Sequence, residues 1–162
     1  LTLTTDDPPR IAYVGPLGGK EKTLKVDMTD DELVVHTSSR FPLLGLWPDL
    51  PSVGVLAYPL QEVASEKLRC ILQRLQCRDL FDLSHLLVHD SVTLDEVGEL
   101  FARKARHRGF DPEQFSAKYQ ARLREYERRW EDELAEHVPG GAPHFDETVR
   151  LVTRALKKAG LL

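Results

Sequence analysis

From Leu60 to Val88 the apolar positions fall into two helical patterns. Leu60, Val63, Ala64, Leu68, Ile71, Leu72 and Leu75 recur at the spacing of one helix face. After a short polar joint, Gln76-Cys77-Arg78, a second pattern places Asp79, Asp82, Leu83 and Leu86 on one face at i, i+3, i+4 and i+7. A joint this short folds the two predicted helices against each other. Lys67 lies inside the first apolar stripe. An ammonium desolvated without a partner costs several kcal/mol, and the second helix offers carboxylates. Lys67, Asp79 and Asp82 are therefore predicted to converge at a partly dry site. The spacing fits a structural tie between helices as readily as a site for chemistry.

Upstream the period changes from helical to alternating. Residues 1–9 are polar, end in two prolines and read as an unstructured lead-in. RIAYV (10–14) and TLKVDM (23–28) read as strands of a hairpin joined by a loose glycine-rich loop. In the second of these, Leu24, Val26 and Met28 face one way and Lys25 and Asp27 the other. ELVVH (32–36) is a third predicted strand. Residues 38–51 read as loop, with three prolines and Trp47. VGVLAY (53–58) is a fourth strand, whose continuous apolar run predicts burial on both faces. After Pro59 every pattern is helical. One helix spans 94–108, with Thr93 as N-cap, Glu96 three residues on, and Gly109 as C-cap. Asp111-Pro112 opens the next, which carries Phe115, Tyr119, Leu123, Tyr126 and Trp130. Residues 138–143 break it, and 145–159 close the chain. The predicted class is α+β: a small, mostly antiparallel β part at 1–58 and an all-helical part at 59–162.

Composition narrows the function classes. A chain of 162 residues has room for one or two small domains, and 41% hydrophobic with 30% charged residues is the balance of a soluble globular protein. The net charge of −4 gives no global basic field, so nucleic acid would be met only through local patches. Apolar runs are too short to span a bilayer, and no N-terminal signal pattern appears, so the expected location is the cytoplasm, with no membrane partner. Leu1 is not an initiator residue, so the sequence is expected to be a fragment or a processed product. Cys70 and Cys77 are two helical turns apart, about 10 Å by helix rise, and read as reduced structural thiols. Gly15–Lys20 lacks the Gly-Lys-Ser/Thr ending of a phosphate loop and no helix follows it, so it reads as the loose connection of the predicted hairpin. Lys118, Arg122, Arg124, Arg128 and Arg129 interleave with acids and read as a solvated face. The six histidines form no His-Glu-x-x-His pattern, and no Ser–His–Asp spacing supports hydrolase chemistry. Asp27, a carboxylate on the polar face of a strand, is a candidate hard-oxygen ligand for a divalent cation.

The succession RIAYVGPLGGKEKTLKVDMT, then VLAYPLQEVASEKLRCILQRLQCRDLFDLSHLL, then PHFDETVRLVTRAL resembles the AbiEii/AbiGii-type nucleotidyltransferases, toxins of bacterial abortive-infection and type IV toxin–antitoxin systems. The resemblance covers roughly residues 10–158, and EKL…R…RDLFDL is its most specific block. It implies a partial nucleotidyltransferase-like sheet with a helical C-terminal domain. It also implies transfer of a nucleotide from a nucleoside triphosphate, with Mg²⁺, to a tRNA, another RNA or a protein, and a cognate antitoxin as partner. By the same resemblance Asp27 is the strand carboxylate of the metal site. Lys67 contacts the triphosphate, and Asp82 is the catalytic helical carboxylate near that lysine, with Asp79 and Arg78 beside it. Arg74, seven residues after Lys67 on the same predicted helix face, is expected to add to triphosphate binding. A lysine there would neutralise charge developing in phosphoryl transfer, and a neighbouring aspartate would keep it charged and aimed.

The chain departs from the family's pattern at one point. A Gly-Gly or Gly-Ser loop followed by an Asp-x-Asp strand is expected ahead of Asp27, and Asp6-Asp7 is adjacent rather than alternate. Two readings follow: a nucleotidyltransferase without its first catalytic motif, inactive as it stands, or an inactive homologue that binds RNA or a partner protein. A third is a plain α+β domain with a buried Lys–Asp tie.

Overall fold

The computed structural model describes residues 2–4, 9–15, 17–27, 30–42, 54–89, 92–138 and 140–162. Expectations that rest on Asp6, Asp7, Met28, Trp47 and Val53 lie outside these residues. The fold is α+β, and the chain divides into two compact units, Leu1–Glu32 and Leu33–Leu162.

The first unit is a three-stranded antiparallel sheet in the order β1 (Thr2–Thr4), β2 (Arg10–Tyr13), β3 (Lys22–Lys25). Ile11 sits between Leu3 and Leu24 in the register. The predicted hairpin is thus present. The lead-in, however, contributes a strand, because residues 2–4 find an open edge to pair with along Arg10–Ala12. β3 is shorter than TLKVDM: after Lys25 the Val26 N–H turns to the Pro9 carbonyl at 2.9 Å. Asp27 therefore follows the strand rather than standing on it.

The second unit begins with the segment read as a third strand. Residues 33–36 form no ladder. Their N–H groups go to a side chain instead, with Val35 and His36 donating to Glu62 Oε1 at 2.8 and 2.6 Å. The region read as loop contains a strand, β4 (Ser39–Pro42), antiparallel to β5 (Gly54–Ala57), with Pro42 at the outer end where a missing N–H is tolerated. β5 is not buried on both faces: Gly54, Val55 and Leu56 are exposed, as a two-stranded ribbon leaves them.

The helices follow as α1 (Leu60–Gln73), α2 (Cys77–Val88), α3 (Val97–His107), a 3₁₀ turn (Pro112–Gln114) running into α4 (Phe115–Leu134), and α5 (Phe145–Lys158). Ala64, Leu68, Ile71 and Leu72 of the α1 stripe are buried, while Leu60 at its start is exposed. They join Leu80, Leu83, Phe101, Phe115, Tyr119, Tyr126, Trp130, Val152 and Leu156 in one core. Phe101 meets Phe115 edge-on at 5.1 Å, and the Trp130 indole donates to the Pro143 carbonyl at 2.8 Å, so its one polar atom is satisfied. Thr93 does not cap α3. The chain makes a further turn, with the Val97 N–H on the Leu94 carbonyl at 3.2 Å, before the helix starts. Its other end matches expectation. Gly109 has φ +75°, the Phe110 N–H reaches the Ala105 carbonyl at 2.8 Å, and the Gly109 N–H reaches Arg106 at 3.0 Å, a Schellman closure that needs a left-handed residue. Asp111 accepts from the Glu113 N–H at 3.0 Å, capping the next turn as its pairing with Pro112 implies.

Three charges on α4, read from sequence as solvated, tie the α1–α2 joint in place. Arg122 donates to the carbonyls of Ile71, Leu72 and Arg74, which the end of α1 leaves unpaired. Arg129 donates to the Leu75 carbonyl and pairs with Glu133. Glu133 in turn accepts the Cys77 N–H at 2.9 Å, so a side chain one helix away caps α2. Among the described residues no helix is long and apolar enough to cross a membrane.

Candidate functional site

With the joint fixed from α4, the facing sides of α1 and α2 are held in register. Lys67 stands on α1, Arg74 is the extended residue that closes its C-terminal end, and Asp79 and Asp82 are one turn apart on α2. Lys67 Nζ lies 2.5 Å from Asp82 Oδ2 and 3.5 Å from Asp79 Oδ1. Arg74 grips the same Asp79 with both arms, Nε to Oδ2 at 2.8 Å and Nη2 to Oδ1 at 3.0 Å. The four side chains form one linked string, Arg74–Asp79–Lys67–Asp82, as the spacing predicts for Lys67, Asp79 and Asp82.

Burial grades along that string. The Asp79 side chain is 0% exposed, Lys67 22%, and Arg74 and Asp82 41% each. Asp79 is thus a sunken anchor, and the two cations resting on it keep part of their surface in solvent. The hydrogen bond with Asp79 raises the Arg74 pKa further, so its charge is fixed at any working pH. Two such cations about one carboxylate can meet phosphate oxygens without a large rearrangement, since their side-chain entropy is already spent.

Arg78 does not join the string. It is exposed and lines a shallow polar pocket of about 180 Å³ with Gln76, Arg129, Glu133 and His137. One residue along α2 from Asp79 is a 100° rotation, which turns it to another face. Asp27 belongs to the other unit, where it is exposed and ion-paired with Lys25 at 2.5 Å.

A divalent cation fits the described donors poorly. Among the described residues no group of three or more His, Cys, Asp or Glu side chains could hold a metal ion. Both oxygens of Asp79 face cations, and Asp82 is engaged by Lys67. The cysteines offer no nucleophile: burial pushes the Cys70 thiol up to about 11 and the Cys77 thiol up to about 12, the latter helped by its contact with Glu133.

A second buried charge cluster went unread in the sequence. Glu62 and Lys104, 2% and 6% exposed, pair at 2.7 Å, and Lys104 also donates to the Leu33 carbonyl at 2.6 Å. Burial opposes ionisation of Glu62, but the hydrogen bonds from Lys104 and from the backbone of His36 and Val35 prevail and hold it below the usual carboxylate range. The signal was available. Lys104 interrupts the apolar register of Val97, Phe101 and Ala105 on α3 just as Lys67 interrupts that of α1.

No curated protein and no solved structure matches the chain at a significant level. The family model described as nucleotidyl transferase AbiEii toxin, type IV TA system, matches residues 7–151. That stretch takes in both strands of the predicted hairpin and all four residues of the Arg74–Asp79–Lys67–Asp82 string, and the chain belongs to the AbiEii nucleotidyl transferase toxin family.

Proposed function

We propose that the α1–α2 string is the triphosphate-handling half of a nucleotidyltransferase site. Membership in the family makes the chain a nucleotidyl transferase-type toxin of a type IV toxin–antitoxin system, with a cognate antitoxin as the implied partner. The reaction would join an acceptor RNA hydroxyl to the α-phosphorus of a nucleoside triphosphate. The bond from that phosphorus to the bridging oxygen breaks, pyrophosphate leaves, and the hydroxyl proton is released. The observation that carries the reading is the sunken Asp79 with two cations fixed upon it. Lys67 and Arg74 would take the phosphate oxygens, where charge accumulates as the leaving group departs. Asp82 would act as a positioning residue that aims Lys67.

Mg²⁺ is the family's expected ion, and it would polarise the phosphate oxygens. Asp27, Asp79 and Asp82 are each committed to a cation and are poor ligands for it. The same commitment leads to the expectation that this 162-residue chain binds a triphosphate yet transfers its nucleotidyl group too slowly to count as active. Loss of metal-supported charge stabilisation is worth about a thousandfold in rate. The test is incubation with each labelled nucleoside triphosphate, Mg²⁺ and total tRNA. Little incorporation is expected. Robust incorporation abolished by Lys67→Ala would keep the site and overturn the slow-transfer reading. Robust incorporation that Lys67→Ala leaves intact would overturn the site itself.

A further inference from the structure

α5 carries a second cationic feature, apart from the α1–α2 string. Arg150, Arg154, Lys157 and Lys158 are all exposed, and the spacing of four and three puts Arg150, Arg154 and Lys157 along one side of the helix. Lys158 reaches Asp95 at 3.5 Å. Among the described residues no carboxylate lies within ion-pair distance of Arg150, Arg154 or Lys157, although Asp146 is one turn before Arg150. On α4, by comparison, the Arg122, Arg128 and Arg129 guanidinium groups have protein partners, while Arg124 is exposed.

The helix dipole accounts for part of the pattern only. It favours cations in the last turn, which covers Lys157 and Lys158. Arg150 and Arg154 are interior to the helix and gain little from it.

On either side of the ridge runs a groove, and Arg154 lines both. One, of about 270 Å³, has a floor of Leu87, Val92, Leu94 and Leu151. The other, of about 720 Å³, is floored by Leu123 and Val149. Among the described residues no aromatic ring lines either groove. Base-stacking surfaces that read single strands are built from aromatic rings, so a nucleic acid here would be held by its phosphates and not by its bases.

We infer that the α5 ridge is an RNA-backbone surface, binding the phosphates of an RNA strand through Arg150, Arg154 and Lys157 without base preference. From Arg150 to Lys157 the helix rises about 10 Å, enough to meet consecutive phosphates. The inference rests on the RNA acceptor in the proposed function, but it concerns a different surface and can fail separately.

The test is fluorescence anisotropy of the full 162-residue chain with labelled single-stranded RNAs, oligouridine and a mixed sequence, without nucleotide or divalent ion. The two RNAs should bind within about threefold of each other, and log affinity against log salt should have a slope of about −2, from three contacts at about −0.7 each. R154E/K157E should weaken binding at least about tenfold and reduce the slope to about −0.7. R154K/K157R should bind like the native chain, and so should Arg128→Ala, which removes an exposed cation of α4 that lies outside the ridge. Both α5 variants are checked for native circular dichroism, and the neutral R154Q/K157Q replaces the reversal if that variant does not fold. The inference is overturned if no saturable binding occurs, if the charge-reversal or neutral variant binds like the native chain, or if oligouridine and mixed RNA differ tenfold. It is also overturned if an acidic Glu-Leu peptide binds the same residues more tightly than RNA, which would make the ridge a protein-docking face.

Discussion

Lys104→Met removes one ammonium from a place that water barely reaches. Methionine keeps the unbranched stem, so packing against Phe101 and Ala105 changes little, and the effect is electrostatic. Glu62 stays behind, 2% exposed, still accepting from Val35 and His36 but without its cation. Removing one partner of a buried pair costs about 3–5 kcal/mol, because the remaining charge is stranded. The two retained N–H bonds place this case near about 3 kcal/mol, a large share of a typical stability of about 5–15 kcal/mol. In urea that shifts the midpoint down by about 1.5 M if the slope is about 2 kcal/mol per M. Glu62→Gln in the same background keeps an acceptor for both N–H groups and removes the stranded charge. The double variant should therefore recover about 1–2 kcal/mol relative to Lys104→Met alone.

The pH dependence carries its own sign. The Glu62 carboxyl is held below its unfolded value of about 4.3, so its ionisation stabilises the native chain above that pH. That contribution fades as pH falls through the lower folded value. In Lys104→Met the burial that opposes ionisation is no longer offset by the ammonium, and protonation relieves the stranded charge. The stability gap between native chain and variant should narrow from pH 7 to pH 4. Urea denaturation followed by circular dichroism at each pH measures it. A gap below about 0.5 kcal/mol at pH 7, or one that does not change with pH, or a double variant that is simply additive, would refute the reasoning.

Other consequences can be checked with the same preparation. Asp79→Ala should lower stability by about 2–3 kcal/mol by urea denaturation, less than for a fully dry pair because Arg74 and Lys67 can rehydrate at their open sides. Cys70 and Cys77, buried and with raised thiol pKa values, should resist iodoacetamide at pH 8 in the native state and react on unfolding, as read by mass spectrometry. Gly109→Ala should cost about 1 kcal/mol, because the left-handed closure of α3 at φ +75° is strained for a residue with a Cβ; thermal denaturation reads it.

How legible each part was follows from how local its cause is. The α1 and α2 patterns were readable because their apolar faces repeat every three to four residues, and a lysine in such a face demands an acidic partner nearby in sequence. The Schellman closure at Gly109 and the cap at Asp111 were readable for the same reason, each being settled within five residues. The segment at 33–36 was not. Its alternation suits a strand, but its N–H groups go to a carboxylate 26 and 27 residues away. β4 was hidden because prolines and serines mark loops, and only pairing with β5 makes Ser39–Pro42 a strand. Arg122 and Glu133 looked solvated because their charges alternate. Their roles are fixed by the carbonyls and the N–H that the α1–α2 joint leaves open, about 50 residues earlier. In the candidate site, the resemblance put Arg78 beside Asp79 and Asp82, whereas one step along a helix from Asp79 turns a side chain to another face.

The central claim is that Lys67 and Arg74, seated on Asp79, bind a triphosphate. The most direct measurement is equilibrium titration of each nucleoside triphosphate into the native chain, Lys67→Ala and Arg74→Ala by calorimetry, with nucleoside monophosphates alongside. The account predicts saturable binding of at least one triphosphate, weaker binding of its monophosphate, and a loss of about tenfold or more in each variant, since a charge-assisted hydrogen bond is worth about 1.5–3 kcal/mol. Triphosphate binding that both variants retain unchanged would contradict it.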